Sequence, residues 1–522
     1  QWSPNGEWIA FTSRGHVWVV SARGGLPQKV SDFTSGAASP RWLSNSSRLL
    51  IQYEKGELAQ ILLTDRDGRW PHPVTSLEGR DSDFQGSPDG RWVVFVRQVP
   101  GEWLQSGIWT ADLISGETRC LSGSAGVFNR SPRWSPDGKS IAFLSDRTGF
   151  YEIFLLEVET GSERQLTHID CDLGDLCWSP GSDQIVCTVN RQGAFDMICV
   201  DVHSGEARDL LSGYGFYARP QWTPDGGKIT YEYDSPVAIP DIFSLDVEAG
   251  AITQLTFSTP PAISGLELVM PERISYPSDD GLEIPAFLYR PKYPNGAAIV
   301  YPHGGPTAQF ALEWDAWVQY MAAKGYTILA PNYRGSSGYG RSFERANDGL
   351  WGVGDRQDCL CAYNFLASQA GIDPNRIAIL GGSYGGYLVI CCLALDPHHR
   401  FACGVAKYGD CNILTSWAQG ENTGREDLYR ILGHPQADRL AYRAASPVWQ
   451  VEGIQAPLLI LHGLKDPFVH PLQSEELVEA LKRAGKTYEY KTYPDEGHGI
   501  LLRKNLLDYY ARMQRFLDWY LL

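Results

Sequence analysis

The chain has 522 residues, of which 43% are hydrophobic and 20% charged, and its formal net charge at pH 7 is −16. This length exceeds the size at which a single hydrophobic core stops growing, so two domains are expected. The composition is that of a globular protein, and no uninterrupted apolar run approaches the ~20 residues that cross a bilayer. Because an acidic chain repels phosphate groups, the charge argues against a nucleic-acid partner.

The first half of the chain repeats a short segment that combines an aromatic residue with a Pro-Asp-Gly turn or a variant of it. The spacing between segments is roughly 40–49 residues, which is the period of propeller blades. The six segments begin at Trp2, Trp42, Gly86, Trp134, Trp178 and Trp222.

One repeat shows why this segment predicts a blade. In Pro136-Asp137-Gly138 the proline sets φ, the aspartate bonds its own backbone and the glycine accepts a positive φ. Strand-like runs follow at residues 140–144, 151–156 and 164–167, and the last two are the third and fourth strands of the repeat. Four short strands per period are typical of a β-propeller blade. We therefore predict an N-terminal all-β propeller over residues 1–262, with the repeated tryptophans packed between blades.

The first repeat lacks the residues that precede the tryptophan in the later repeats. We therefore expect an N-terminally incomplete propeller, in which a seventh blade of a longer protein and closure with six blades are open alternatives.

The chain has 11 cysteines, and Cys391 and Cys392 are adjacent in an apolar helical stretch. This usage favours small buried thiols in a reducing cytoplasm over a disulfide scaffold.

The second half, residues 263–522, follows a linker around Pro260-Pro261 and has a different periodicity. Apolar strand-like runs alternate with segments of helical length, and this alternation predicts an α/β domain with a mostly parallel sheet. The predicted strands are 297–301, 327–331, 376–380, 404–406, 457–461 and 488–493, and predicted helices include 314–324, 356–370 and 472–484.

A short apolar strand at residues 377–380 runs directly into Gly381-Gly382-Ser383-Tyr384-Gly385-Gly386, and an apolar helix follows. This is a GxSxG motif between a strand and a helix, the nucleophile turn of α/β hydrolases. The glycines permit a sharp turn that lifts the serine hydroxyl above the sheet edge. We therefore predict that Ser383 is the nucleophile of a serine hydrolase.

A serine hydroxyl needs a base, and in this fold the acid and the histidine follow the serine in that order. Asp466 comes just after the predicted strand 457–461, and His498 comes just after the last strand in a glycine-rich loop. The predicted triad is therefore Ser383, Asp466 and His498, with His498 as base and Asp466 holding its tautomer. Weaker candidates for these roles are Asp410, Asp495, His462 and His470.

The oxyanion formed during acyl transfer requires backbone N–H donors. The first predicted donor is the N–H of Tyr384, the residue after the nucleophile. The second is the N–H of Gly305 in the loop His303-Gly304-Gly305-Pro306, which follows an early strand. His303 precedes two glycines, and we expect it to brace this loop rather than to act in catalysis.

A repeat domain followed by His303-Gly304-Gly305-Pro306, the segment 332–340 (NYRGSSGYG), GGSYGG and the Asp466 and His498 motifs resembles the prolyl oligopeptidase family of serine peptidases. Within that family the chain looks most like its acylaminoacyl-peptidase-type members. The resemblance covers essentially the whole chain.

The resemblance implies a peptidase for short peptides whose propeller excludes folded proteins from the active site. It supports the triad and both oxyanion donors, and it points to Val469, Tyr408 and Trp417 as substrate-binding residues, with core packing as the alternative for the last two. It implies no cofactor and no metal ion, and it leaves self-association into a homo-oligomer open.

Three alternative functions remain at this stage. Dipeptidyl-peptidase members of the family carry a Glu-Glu pair in the propeller, and residues 1–260 contain no such pair. An esterase or a small-molecule amide hydrolase would use the same triad. A binding protein with an inactive hydrolase domain is disfavoured because every triad position is filled.

Overall fold

A β-propeller and an α/β-hydrolase domain follow one another along the chain. The computed structural model describes residues 1–33, 36–56, 58–99, 101–102, 105–420 and 422–522, with the backbone alone at 422 and 423. The last propeller strand ends at Gln254 and the first hydrolase strand begins at Glu272. The predicted division after residue 262 lies between them. None of the helices described in these ranges is long and apolar enough to cross a membrane.

The described part of the propeller forms six blades, one for each sequence repeat. Strands pair antiparallel within a blade, and the first strand of each blade packs against the first strand of the next. The first three blades contain β1 Trp8–Ser13, β2 His16–Ser21 and β3 Gln28–Lys29; β4 Ala37–Trp42, β5 Arg48–Lys55, β6 Leu58–Asp65 and β7 His72–Pro73; and β8 Arg80–Gly86, β9 Trp92–Gln98, β10 Gly107–Asp112 and β11 Thr118–Ser122. The last three contain β12 Asn129–Trp134, β13 Ser140–Ser145, β14 Glu152–Glu157 and β15 Glu163–Gln165; β16 Asp172–Trp178, β17 Gln184–Arg191, β18 Ala194–Asp201 and β19 Ala207–Leu211; and β20 Phe216–Trp222, β21 Lys228–Ser235, β22 Ala238–Asp246 and β23 Ile252–Gln254.

The repeated turn is held by the hydrogen bonds that its sequence suggests. In the fourth blade the Ser135 hydroxyl donates to Asp137 over 2.6 Å and accepts from the N–H of Ser140 over 3.0 Å. Gly138 follows with a φ of 71°. The Thr223 hydroxyl makes the equivalent bond to Asp225 in the sixth blade, also over 2.6 Å. Each repeat therefore closes its own turn with local bonds.

The repeated tryptophans do not all lie between blades. Trp42, Trp134 and Trp178 are buried, and Trp178 Nε1 donates to the carbonyl of Arg133 in the preceding blade over 3.1 Å. Trp2, in the first blade, is 58% exposed. The predicted packing role is therefore seen in the central blades and not at Trp2.

A feature that the sequence does not signal recurs in the first strand of the second to sixth blades. Each of these strands carries a β-bulge, and in each bulge one residue that is not glycine has a positive φ of 44–55°. A bulge bends the strand and redirects its side chains. The residues are Ser39, Asp83, Ser131, Asp175 and Arg219.

The hydrolase domain is built on an eight-stranded sheet whose first members are antiparallel and whose remaining strands are parallel. Because these strands are parallel, the loops that follow them lie at one edge of the sheet, where ligands bind in such folds. In spatial order the strands are β24 Glu272–Pro277, β25 Glu283–Tyr289, β27 Thr327–Pro331, β26 Ala298–Val300, β28 Ile377–Gly382, β29 Cys403–Lys407, β30 Leu458–Gly463 and β31 Tyr488–Tyr493.

Helices cover both faces of this sheet and bury its apolar strands. One core joins the sheet to the helices at residues 316–323 and 503–521, and the larger core joins it to the helices at residues 354–367, 384–395 and 472–483. The helices are α1 Ala316–Ala323, α2 Arg341–Glu344, α3 Gly354–Ala367, α4 Tyr384–Leu395, α5 Ile413–Gln419, α6 Asn422–Leu432, α7 Arg439–Ala444, α8 Leu472–Arg483 and α9 Arg503–Leu521, with 3₁₀ turns at Arg345–Asn347, Pro374–Arg376 and Pro447–Gly453. All 11 cysteines are free thiols.

The propeller contacts the hydrolase domain through the loops at the carboxyl edge of the sheet. Leu312 N donates to the carbonyl of Gly193 over 2.7 Å, and Trp314 N donates to the Asp234 carboxylate over 2.7 Å. We call the set of these contacts the domain seam. It also contains the bond from Gly338 N to Asp172 over 3.1 Å and the ion pair of Arg341 with Asp146 at 3.3 Å.

Candidate active site

Ser383 lies at the sharp turn between β28 and α4, as the sequence predicts. Its φ is 57° and its ψ is −124°, a backbone conformation that a residue with a side chain rarely adopts. The glycines around it are required because a Cβ on Gly381 would lie 2.4 Å from the Gly385 backbone, and one on Gly385 would lie 2.2 Å from Pro302 O. The Ser383 N–H donates to Lys407 O over 3.0 Å, which ties the turn to the next strand.

Asp466 and His498 are brought together at the same edge, from the loops after β30 and β31. His498 Nδ1 lies 2.7 Å from Asp466 Oδ2. The other carboxylate oxygen of Asp466 accepts the N–H groups of Phe468 and Val469 over 2.9 and 3.0 Å. The carboxylate is thus fixed from both sides, and Nε2 of His498 is the ring nitrogen left for a reacting group.

The electrostatics of Asp466 suit a group that must stay ionised. Asp466 is 5% exposed, and burial by itself raises the pKa of its carboxyl. Hydrogen bonds from His462 and His498 outweigh that cost and hold the pKa of Asp466 at about 2. A carboxylate that remains charged can stabilise an imidazolium at its side.

The weaker histidine candidates lie in structural contacts. His462 is fully buried, with Nδ1 2.5 Å from Ser474 Oγ and Nε2 2.9 Å from the carbonyl of Val469. Its Nε2 also lies 3.3 Å from Asp466. His470 is exposed and accepts the N–H of Leu472. His462 therefore supports the Asp466 loop, and neither ring lines the cavity that holds Ser383.

The weaker acid candidates also have other partners. Asp495 pairs with Lys504 at 2.5 Å and accepts from Asn505 over 2.9 Å, away from the His498 ring. Asp410 accepts a hydrogen bond from the Ser416 hydroxyl and faces the cavity beside Ser383. Of these acids, Asp466 is the one hydrogen bonded to His498.

The loop His303-Gly304-Gly305-Pro306 lies against the nucleophile. A Cβ placed on Gly304 would be 3.9 Å from Ser383 Oγ, and Gly305 has a φ of 137° before a cis peptide bond to Pro306. Tyr384 is the first residue of α4, and the first N–H groups of a helix have no acceptor within it. Both predicted oxyanion donors thus border the same space as Ser383.

His303 makes the contacts of a loop-bracing residue. Its ring stacks on Tyr333 at 4.3 Å, and its Nε2 lies 2.8 Å from Ser336 Oγ in the segment after β27. Burial lowers the pKa of His303 to about 4, so the ring is neutral near pH 7. These contacts join the loop before Gly305 to the neighbouring strand end.

The Tyr384 side chain points away from the cavity and into the core. Its hydroxyl donates to the buried carboxyl of Asp355, which also accepts from Asn347 Nδ2 over 3.1 Å. Burial raises the pKa of Asp355 to about 6. This buried network anchors the first turn of α4 and therefore the backbone N–H that follows Ser383.

A cavity of about 270 Å³ opens beside Ser383. It is bounded by the predicted triad serine and histidine, by both predicted oxyanion residues and by side chains from α5, α6 and the loop after β30. The lining residues are Gly305, Trp351, Ser383, Tyr384, Asp410, Ser416, Gly420, Gly424, Asp427, Leu428, Phe468, Val469 and His498.

The three predicted substrate-binding residues are placed differently. Val469 lines the cavity. Tyr408 lies behind the base, with its ring 4.8 Å from that of His498, and is not part of the cavity wall. Trp417 packs against His434 and Tyr442, which is the core-packing alternative.

Sequence reasoning missed five side chains of the cavity wall, namely Trp351, Ser416, Asp427, Leu428 and Phe468. Phe468 could have been found, because it lies between Asp466 and Val469. Trp351, Asp427 and Leu428 lie in segments that no motif marks. Asp427 and Leu428 reach the wall from α6, and Trp351 reaches it from the segment before α3.

Across the residues that the structure describes, no group of three or more His, Cys, Asp or Glu side chains is arranged to hold a metal ion.

Comparison with known families agrees with both domains. The sequence pattern of the prolyl oligopeptidase family matches residues 312–522, and that of the TolB β-propeller domain matches residues 1–172 and 129–266. These matches confirm the predicted fold class, and they fit the family that the motifs suggest.

Individual relatives match parts of the chain at low identity. The chain is 31% identical to dipeptidyl aminopeptidase BIII of Pseudoxanthomonas mexicana over 53% of its own length and 42% of the relative. It is 30% identical to the acylamino-acid-releasing enzyme of Arabidopsis thaliana over 39% of its length and 27% of the relative. The chain thus spans less than half the length of either relative. A crystal structure of puromycin hydrolase superimposes with a TM-score of 0.84 at 23% identity, covering 95% of this chain and 83% of that one.

Proposed function

The chain belongs to the prolyl oligopeptidase family of serine peptidases, and from this premise we propose that it hydrolyses short peptides through an acyl-enzyme on Ser383. The observation that carries the proposal is the pairing of His498 with Asp466 at the strand edge where Ser383 stands in its strained turn. This pairing is what a serine nucleophile requires of its base.

In the proposed reaction His498 Nε2 removes the Ser383 proton as Oγ attacks the carbonyl carbon of the scissile bond. Asp466 holds the Nδ1–H tautomer and stabilises the imidazolium. The N–H groups of Gly305 and Tyr384 stabilise the oxyanion. His498 then protonates the leaving amine, and a water molecule activated by the same histidine hydrolyses the acyl-enzyme.

The propeller supports a limit on substrate size. The domain seam joins propeller blades to Leu312 and Trp314, before α1, and to Gly338 and Arg341, after β27. We infer that the propeller lies on the substrate's route to Ser383. We propose that peptides reach Ser383 and that folded proteins do not.

A more specific part of the proposal concerns the amino terminus of the substrate, which can be free or acylated. The relatives include a dipeptidyl aminopeptidase and an acylamino-acid-releasing enzyme, which act at free and at acylated ends by their names. We favour blocked or internal bonds of short peptides, because residues 1–260 contain no Glu-Glu pair to bind a free amine.

The test compares the wild type with Ser383→Ala, using a fluorophosphonate label and a peptide library of graded length read by mass spectrometry. Labelling of the wild type alone, with cleavage of short peptides and no cleavage of a folded protein, is the expected result. Equal cleavage by the Ser383→Ala variant would exclude Ser383 as the nucleophile.

The same digest separates the alternatives. Release of dipeptides from free amino termini alone would favour a dipeptidyl-peptidase. Turnover of aryl esters without peptide cleavage would favour an esterase or a small-molecule amide hydrolase.

A further inference from the structure

The cavity beside Ser383 has an acidic wall that the proposed chemistry does not use. Apart from His498, its charged lining residues are Asp410 and Asp427, and its described wall includes no lysine or arginine. The Asp466 carboxylate, and neither of these two, is the one hydrogen bonded to the predicted base. The position of Asp410 and Asp427 in a cavity next to the nucleophile calls for a different role.

Asp427 lies on α6 and lines the cavity, and its side chain is 34% exposed. Its nearest cation is Arg430, at 3.4 Å, and the Arg430 guanidinium is engaged more closely by Asp348 and Thr307, each at 2.9 Å. Arg430 itself is only 8% exposed and is not part of the cavity wall. Arg430 is thus divided between two carboxylates, so the group formed by Asp348, Asp427 and Arg430 carries one net negative charge when all three are ionised.

Asp410 lies in the loop after β29 and also lines the cavity. One of its oxygens accepts a hydrogen bond from the Ser416 hydroxyl. No ion pair with lysine or arginine is formed by Asp410 among the described residues. A cationic group that enters the cavity would therefore be the first to form such a pair.

The remaining wall is apolar and aromatic, with Trp351, Leu428, Phe468 and Val469. A cavity lined by apolar side chains and carboxylates suits a long aliphatic side chain with a cationic tip, because the stem packs against the apolar wall and the tip meets an opposite charge. An apolar side chain would instead desolvate the two carboxylates further without supplying an opposite charge.

The position of the cavity identifies which part of a peptide enters it. Ser383, Gly305 and Tyr384 all border it, so the carbonyl under attack lies at its mouth. We propose that this cavity binds the side chain of the residue that supplies the scissile carbonyl, and that Asp427 and Asp410 select lysine or arginine there. This inference rests on the proposed function and names its substrate class.

The test uses N-blocked peptides that carry arginine, or its neutral isostere citrulline, at this position, so no free amine is present. Two readouts are taken: kcat/KM for anilides and the second-order rate of Ser383 labelling by the matching peptidyl phosphonates. We expect the wild type to prefer arginine by at least about 10-fold, the range of a charge-assisted hydrogen bond. Asp427→Asn should lower this ratio at least about 5-fold, and Asp410→Asn should lower it to a lesser degree.

The arginine-to-citrulline ratio is measured within each variant, so a partial loss of active protein does not affect it. Glu475→Gln is the matched control, because it removes one negative charge from an exposed position on α8 and should leave the ratio unchanged. An arginine-to-citrulline ratio near one in the wild type would overturn the inference, as would an equal fall in the control.

A separate label distinguishes this failure from failure of the proposed function. If a small fluorophosphonate modifies Ser383 but neither phosphonate discriminates, the hydrolase stands and the acidic subsite does not. If the fluorophosphonate fails to modify Ser383, the proposed function itself is wrong. In a parallel series with free amino termini, a preference for arginine that is absent from the N-blocked series would overturn the inference and assign the acidic wall to the terminal amine.

Discussion

The propeller turns and the nucleophile turn use the same backbone device for different ends. In the blades, Ser135, Asp137 and Gly138 close a turn with local bonds, and the same bonds recur in other repeats. At Ser383 a positive φ occurs once, and it is held by long-range contacts with Lys407 and the Pro302 loop. The contribution of the blade turns to stability is therefore divided among several similar turns, whereas the nucleophile turn occurs once.

The largest expected effect is at Asp466. Asp466→Asn should lower kcat by about 10³- to 10⁴-fold while leaving the fold intact, because an amide no longer holds the Nδ1–H tautomer of His498. Steady-state kinetics on a peptidyl anilide measure it. Asp495→Asn is the matched control in the histidine's own loop, and we expect less than about a threefold change there, since Asp495 pairs with Lys504. An equal loss in both variants would argue against Asp466 as the acid.

Gly305→Ala should come next, with kcat reduced by about 10²- to 10³-fold, the cost of losing one oxyanion donor. A Cβ on Gly305 would lie 2.8 Å from Thr307 N, and its φ of 137° is one that alanine avoids. The loop must shift, and its N–H shifts with it. Gly281→Ala is a suitable comparison, because Gly281 also has a positive φ but an added Cβ meets nothing within 4 Å. Unchanged kcat in Gly305→Ala would remove Gly305 from the oxyanion hole.

A pH effect of intermediate size should come from His303. Burial lowers its pKa from 6.5 to about 4, so the unfolded chain binds a proton that the folded chain does not. The stabilisation from the neutral ring is complete above pH 6.5 and is lost as the pH falls toward 4, by about 3 kcal/mol. Urea unfolding of the wild type and of His303→Gln should therefore differ less at pH 4 than at pH 7. A difference that stays constant over this range would contradict the buried neutral ring.

The smallest effect should be in a blade turn. Asp137→Ala removes the acceptor of the Ser135 hydroxyl and should lower the local free energy of unfolding of the fourth blade by about 1 kcal/mol. Hydrogen exchange of that blade measures the loss, and kcat should not change. Glu159→Ala, at an exposed position in the same blade, controls for the change of charge. A large fall in kcat would show that blade turns and active site are not independent.

The sequence predicted those features that local chemistry determines. The blade period, the turn at Ser383 and the order of Asp466 and His498 are all marked by short motifs. The cavity wall is not marked by motifs, because Asp427 and Leu428 reach it only through the packing of α6. Trp417 packs in the core against His434 and Tyr442. The bulges in the first strand of the second to sixth blades were also missed, since their positive φ falls on residues such as Ser131 rather than on glycine.

The domain seam has a thermodynamic consequence. Leu312 bonds to propeller residue Gly193 and lies seven residues after Gly305, so the loop that carries a predicted oxyanion donor is also held by the propeller. A peptide that binds best when this loop is in place stabilises the joined domains by the same free energy that joining adds to its affinity. Substrate occupancy and resistance of the two domains to separation are therefore two measurements of one coupling.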